Sequence, residues 1–221
     1  MKTSPLRACS RKTAFSLLEI LATSAITLAL IAICIPVGQG IVRRARAVKS
    51  VGNLRQLASA TLLCVNERNG IFPPHRQQEP GGAWSEPLQT TYLLDYLVGT
   101  KASQKKSVLY DPQAEKHGTV SDYGCNTLLF VAPTAPRISL GYITRPGLKV
   151  MYATAKTVSS GNGAWYIQVP EFLSDPERSN GQIPWDWETG NILAAHVDGH
   201  VTAYPAAEFK TNRNDLLKIK E

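Results

Sequence analysis

After a short polar, basic start the chain turns apolar: residues 14–35 read AFSLLEILATSAITLALIAICI and carry one charge, Glu19. At about 1.5 Å rise per residue, a helix of that length crosses a hydrocarbon core of roughly 30 Å. The run is longer than the apolar core of an ordinary secretory signal, about 7–15 residues. Beyond it, Ile41, Ala45, Val48, Val51, Leu54, Ala58, Leu62 and Val65 recur at steps of three and four. That period predicts an amphipathic continuation of the same helix. Pro36 lacks an amide donor and predicts a kink rather than an end. Asn69-Gly70, followed by Pro73-Pro74, predicts the stop. One helix is therefore predicted over 15–70, with an apolar half and a half that has one face to bury.

From residue 71 the text changes character. A short helix is predicted over 85–97, with Ser85 as cap, Pro87 in its first turn and Leu93, Leu94 and Leu97 facing inward. Short β-branched or aromatic runs at 108–110, 127–131, 138–143, 149–153 and 164–169 predict strands. They form an antiparallel meander against the helix, giving an α+β head over 71–221. Asp198-Gly199 lies between β-favouring runs and predicts a two-residue hairpin turn. In that register His200 opposes Val197 and His196 opposes Val201, so the two imidazoles point to opposite faces.

Charge sharpens the division. The net charge is +7, but the excess lies early: Lys2, Arg7, Arg11 and Lys12 precede the apolar run, and Arg43, Arg44, Arg46, Lys49, Arg55 and Arg68 follow it, against Glu19 and Glu67. The head is close to neutral, and its nearest approach to a cationic cluster, Lys101, Lys105 and Lys106, reads as a solvated loop. No nucleic-acid partner is expected.

Glu19 carries the most information. A carboxylate in a membrane segment is costly unless paired or near an interface, which makes it a functional residue by default. A cut between Ala14 and Phe15 would create an α-ammonium one helical turn away, on the same chain or a neighbour, able to pair with it. An ordinary signal-peptidase cut after Gly40 is a rival, but the length of the run and Glu19 within it oppose that reading.

Lys12-Thr13-Ala14-Phe15-Ser16-Leu17-Leu18-Glu19 resembles the prepilin peptidase site of type IV pilins and type II secretion pseudopilins. Pro36 falls where many pilins place a helix-kinking proline. The family prefers Gly before the cut, where this chain has Ala14. The segment 51–57 (VGNLRQL), with Asn69-Gly70-Ile71-Phe72-Pro73-Pro74, is similar to a pseudopilin G-like subgroup, as is the terminal Asp198-Gly199-His200-Val201. That subgroup usually has a His ten residues before the Asp, where Glu188 stands here.

The resemblance implies a leader over 1–14 removed by a prepilin peptidase, N-methylation of Phe15, and Glu19 setting the register of neighbouring subunits. It implies a single-pass protein of the cytoplasmic membrane, N-terminus cytoplasmic and head outside, that joins or primes a pseudopilus or pilus-like filament. The alternative is an anchored binding or enzymatic module that never polymerises. Of four cysteines, Cys9 would leave with the leader and Cys34 would lie in lipid, so Cys64 and Cys125 are the pair open to a disulfide. Major pseudopilins often hold calcium in a head loop. Glu171, Asp175, Glu177, Asp186 and Glu188 offer oxygens at 170–190 without an EF-hand spacing, so calcium there stays open and no cofactor is assigned. Trp185 and Trp187 are expected to share one buried side. The chain has no G-x-S-x-G, H-E-x-x-H or phosphate loop, and it is expected not to be an enzyme. A metal shared by His196, Asp198 and His200 is not expected, since the rings should diverge.

Overall fold

The computed structural model describes residues 16–78, 84–97, 101, 107–176, 182–187 and 190–219, without the side chains of 35–38, 78, 84–86 and 171. Helix α1 spans Leu17–Glu67. Its stop is the predicted one: Asn69 (φ 56°) and Gly70 (φ 79°) turn left-handed, and the Gly70 N–H reaches back 2.9 Å to the Val65 carbonyl. Pro36 lies within the helix and, as expected, does not end it. The chain divides into two compact units between Arg44 and Ala45.

In the first unit every described side chain of residues 16–34 is exposed. The helix is long and apolar enough to cross a membrane. Its hydroxyls are already bonded: Thr23 Oγ1 donates to the Glu19 carbonyl (2.9 Å), Ser24 Oγ to Leu21 (2.9 Å) and Thr27 Oγ1 to Thr23 (2.7 Å). No donor on these three residues then has to be given up to hydrocarbon unpaired.

The second unit contains the C-terminal part of α1 and the head. Strands β1 (Arg76–Gln78) and β2 (Trp84–Pro87) pair antiparallel, and α2 (Leu88–Thr91) follows. The larger sheet is built from β3 (Tyr123–Asn126), β4 (Val150–Thr157), β5 (Tyr166–Ile167), β6 (Gln182–Pro184), β7 (Asn191–His196) and β8 (Val201–Pro205). Its order is β5-β3-β4-β7-β8, with β6 also on β4. Helices α3 (Val169–Ser174), α4 (Ala206–Thr211) and α5 (Arg213–Leu217) complete the unit.

Two apolar clusters flank the sheet. On one side Leu54, Leu57, Ala58, Cys64 and Val65 of α1 meet Phe72, Leu93, Tyr123, Phe130 and Tyr152. On the other Phe172, Phe209, Leu216 and Leu217 meet Val150, Ala153 and Ile167. Strand β7 shows why both sides are apolar: Leu193 and Ala195 join the first cluster, Ile192 and Ala194 the second.

The α+β class stands, and several details differ from expectation. The sheet is mixed rather than an antiparallel meander, because β5 runs parallel to β3. Residues 127–130 form a turn, not a strand: Asn126 Oδ1 accepts from the Leu128 N–H (3.0 Å), and the Asn126 carbonyl accepts from Leu129 and Phe130. Residues 108–110 form a turn, and within 138–143 a 3-10 turn, Leu140–Tyr142, is capped by Ser139. Ser85 lies in β2, since the bias of the residue before Pro87 toward extended backbone prolongs the strand and leaves α2 one turn long. Leu93 and Leu97 are nevertheless buried as expected. The predicted stripe on α1 is kept from Val51 to Val65, where Leu54, Ala58 and Val65 are buried and Val51 and Leu62 pack against them. The buried face is wider than that stripe and starts later. Ile41 and Val48 are exposed, and Ser50, Asn53 and Thr61 are buried.

Candidate functional site

The N-terminus of α1 is closed by its own residues. Ser16 Oγ accepts from the Leu18 N–H (3.4 Å), and Glu19 Oε2 accepts from the Ser16 N–H (3.2 Å). The two side chains thereby cover donors that a helix start leaves open. Glu19 also places its negative charge in the first turn, where the helix dipole favours it. Ala14 and Phe15, the residues of the expected cut, lie outside the described residues. Ser16 immediately follows Phe15, so the carboxylate is held one residue from where a new amino group would stand.

The terminal hairpin overturns the predicted register. Ala195 pairs with Val201, the His196 N–H donates to the His200 carbonyl (2.9 Å), and the Gly199 N–H donates to the His196 carbonyl (2.9 Å). The connection is the three residues Val197, Asp198 and Gly199, a turn closed by a glycine bulge with Gly199 at φ 91°. Asp198 is not left-handed, so the two-residue type I′ turn does not form. Asp198 Oδ1 instead accepts from the His200 backbone N–H (3.1 Å) and faces His200 Nδ1 at 2.5 Å. Burial opposes ionisation of Asp198, but these His200 contacts outweigh it and hold the carboxyl below its ordinary range.

The added residue also changes which way the imidazoles point. His196 and His200 share a side, their rings stacked with centroids 4.2 Å apart and planes 1° from parallel. A common ion still does not follow. Ring lone pairs lie in the ring planes, and a metal about 2.0–2.1 Å from one nitrogen would sit far out of the other plane. Among the described residues no group of three or more His, Cys, Asp or Glu is placed to hold a metal ion. His196 Nε2 lies 3.2 Å from the Tyr204 hydroxyl. Burial, then the neighbouring His200, lowers the His196 pKa to about 4.

A second polar assembly ties the head to α1, and sequence reasoning missed it. Asp111 and Asp122 are fully buried. Asp111 Oδ1 accepts from Ser50 Oγ (2.5 Å) and from the Gln113 N–H (2.9 Å). Asp122 accepts from the Asp111 N–H (2.9 Å), the Gly118 N–H (2.8 Å) and faces His117 Nδ1 at 2.6 Å. Asn53 Nδ2 adds a bond to the Tyr110 carbonyl (3.0 Å). Burial pushes both carboxyls above their ordinary range. The available signal was slight: polar residues spaced along an apolar helix, and two lone acids in apolar surroundings.

Cys64 and Cys125 are buried free thiols, and Cys34 is exposed. Of the acids proposed for calcium, Glu177, Glu188 and the Glu171 side chain lie outside the described residues. Trp185 is half-buried against the second cluster with Lys156 Nζ 2.9 Å from its ring centroid, and Trp187 is half-buried. Comparison with protein-family models, curated proteins and solved structures gives no match.

Proposed function

We propose that the chain is a pilin-like subunit, a pseudopilin that joins or primes a secretion pseudopilus or pilus-like filament and performs no catalysis. The observation that carries this reading is the start of α1. The apolar stretch of α1 follows directly on Ser16, its described side chains over 16–34 all exposed, and the only acid in that stretch, Glu19, folds back onto the Ser16 amide. In a chain cut before Phe15 that carboxylate lies beside the new ammonium, and an incoming subunit's ammonium finds the same charge. The exposed apolar surface serves twice, first against lipid and then against neighbouring helices. The prepilin peptidase and sibling subunits are the partners, with the head outside the cytoplasmic membrane.

The capping contact also favours a second reading, an anchored extracytoplasmic module, because it accounts for Glu19 without any neighbour. Glu19→Gln separates the two. Glutamine serves equally in such a cap but carries no charge, so filament incorporation should fall sharply while membrane insertion persists. Undiminished incorporation of the variant would contradict the role given to the charge.

A further inference from the structure

Outside α1, the exposed large hydrophobic side chains among the described residues are Ile71, Leu140 and Tyr142, the last 62% exposed. They belong to one surface. Ile71 bridges to Ser139, the Leu140 N–H donates to the Gly70 carbonyl (2.7 Å), and the Phe72 N–H donates to the Ile138 carbonyl (2.9 Å). Beside them opens a cleft of about 500 Å³ walled by Leu128, Ile138, Tyr142 and Ile219. An apolar surface gathered in one place marks an interaction site.

Charge narrows the occupant. Arg137 and Lys218 also line the cleft, and both are exposed. Arg137 donates to the neutral carbonyls of Val131 (3.5 Å), Ala132 (3.3 Å) and Pro133 (3.1 Å), and among the described residues no carboxylate is bonded to it. Residues 123–170 contain Arg137, Arg145, Lys149 and Lys156 and no Asp or Glu. Cations at an apolar cleft, with no carboxylate among the described lining residues, are complementary to an anion presented on an apolar ligand.

We infer that this surface docks an extended segment of a partner protein that combines apolar side chains with carboxylates. A small amphiphilic anion would fill the cleft but leave Ile71 and Leu140 uncovered, whereas a peptide reaches both. The inference is independent of the filament reading, since it concerns only the head.

The test uses the full chain in phosphatidylcholine nanodiscs and a fluorescein-labelled peptide of alternating Leu and Glu, with the Leu-Lys peptide as control. The Glu peptide should bind, and the Lys peptide should bind at least about tenfold more weakly. Lys218→Glu should weaken the Glu peptide by about tenfold, Tyr142→Ser should also weaken it, and Lys101→Glu should leave it unchanged. Added salt should weaken it further. Equal binding of the two peptides, no binding of either, or indifference to both Lys218→Glu and Tyr142→Ser would overturn the inference. So would full displacement by octanoate with no peptide contact at Ile71, which would make the cleft a small-anion site. Binding that appears only in a chain ending at Ile219 would show that residues 220–221 occupy the surface, and would overturn it too.

Discussion

His196 and His200 lie face to face across the terminal hairpin, with ring centroids 4.2 Å apart, although the Asp-Gly turn between them predicts opposite faces. The stack places a buried imidazole against an exposed one, with the Asp198 carboxylate on the exposed partner and the Tyr204 hydroxyl on the buried one. Proton uptake by His196 is therefore opposed in the folded state. Its pKa falls from 6.5 to about 4, so its contribution to stability is complete above pH 6.5 and is lost as pH drops toward 4. Between pH 7 and pH 5 this group should cost about 2 kcal/mol. His196→Gln should flatten that part of the profile, read as melting temperature against pH. An unchanged profile would show that His196 is not the titrating group.

Asp111 is a buried carboxyl whose Oδ2 has no partner. Burial raises its pKa, so its contribution is fully present below the unfolded pKa and is lost as pH rises through it toward the folded value. Asp111→Asn keeps the oxygen that faces Ser50 and removes the charge. It should leave stability at neutral pH unchanged or improved. Ser50→Ala removes a donor to that buried carboxyl and should cost about 1–3 kcal/mol in denaturant unfolding. The opposite order would contradict the arrangement described.

Gly124 sits where β3 passes between β4 and β5. A Cβ there would lie 2.8 Å from Ala155 Cβ and 2.9 Å from Ile167 Cγ1. Gly124→Ala should destabilise by about 1–3 kcal/mol through overpacking. Gly52, where an added Cβ meets nothing within 4 Å, supplies the control. Gly52→Ala in the helix should be stabilising by about 0.5–1 kcal/mol.

How much was legible follows from where each residue's partners lie. The apolar run, the Asn69-Gly70 stop and the location of the last hairpin are local patterns, and the structure keeps all three. The width of the buried α1 face was not local. Ser50, Asn53 and Thr61 are buried because Asp111, the Tyr110 carbonyl and the Tyr152 hydroxyl reach them from distant segments. A count of hydrophobic spacing passes over such residues. Strand β3 was missed because Gly124 and Asn126 weaken its β character, yet Gly124 is what lets the strand fit and Asn126 is what ends it. The turn at Asp198 was placed correctly and typed wrongly. Its side chain bonds forward to His200, a contact that suits the longer connection and aligns both rings.

The central claim concerns the first residues of the mature protein. Intact-mass and N-terminal peptide analysis of the protein from its native membrane, with and without the prepilin peptidase, tests it most directly. The account predicts a chain beginning at N-methylated Phe15 that appears only when the peptidase is present. A chain that begins at Met1 or at Ile41 regardless of the peptidase would contradict it.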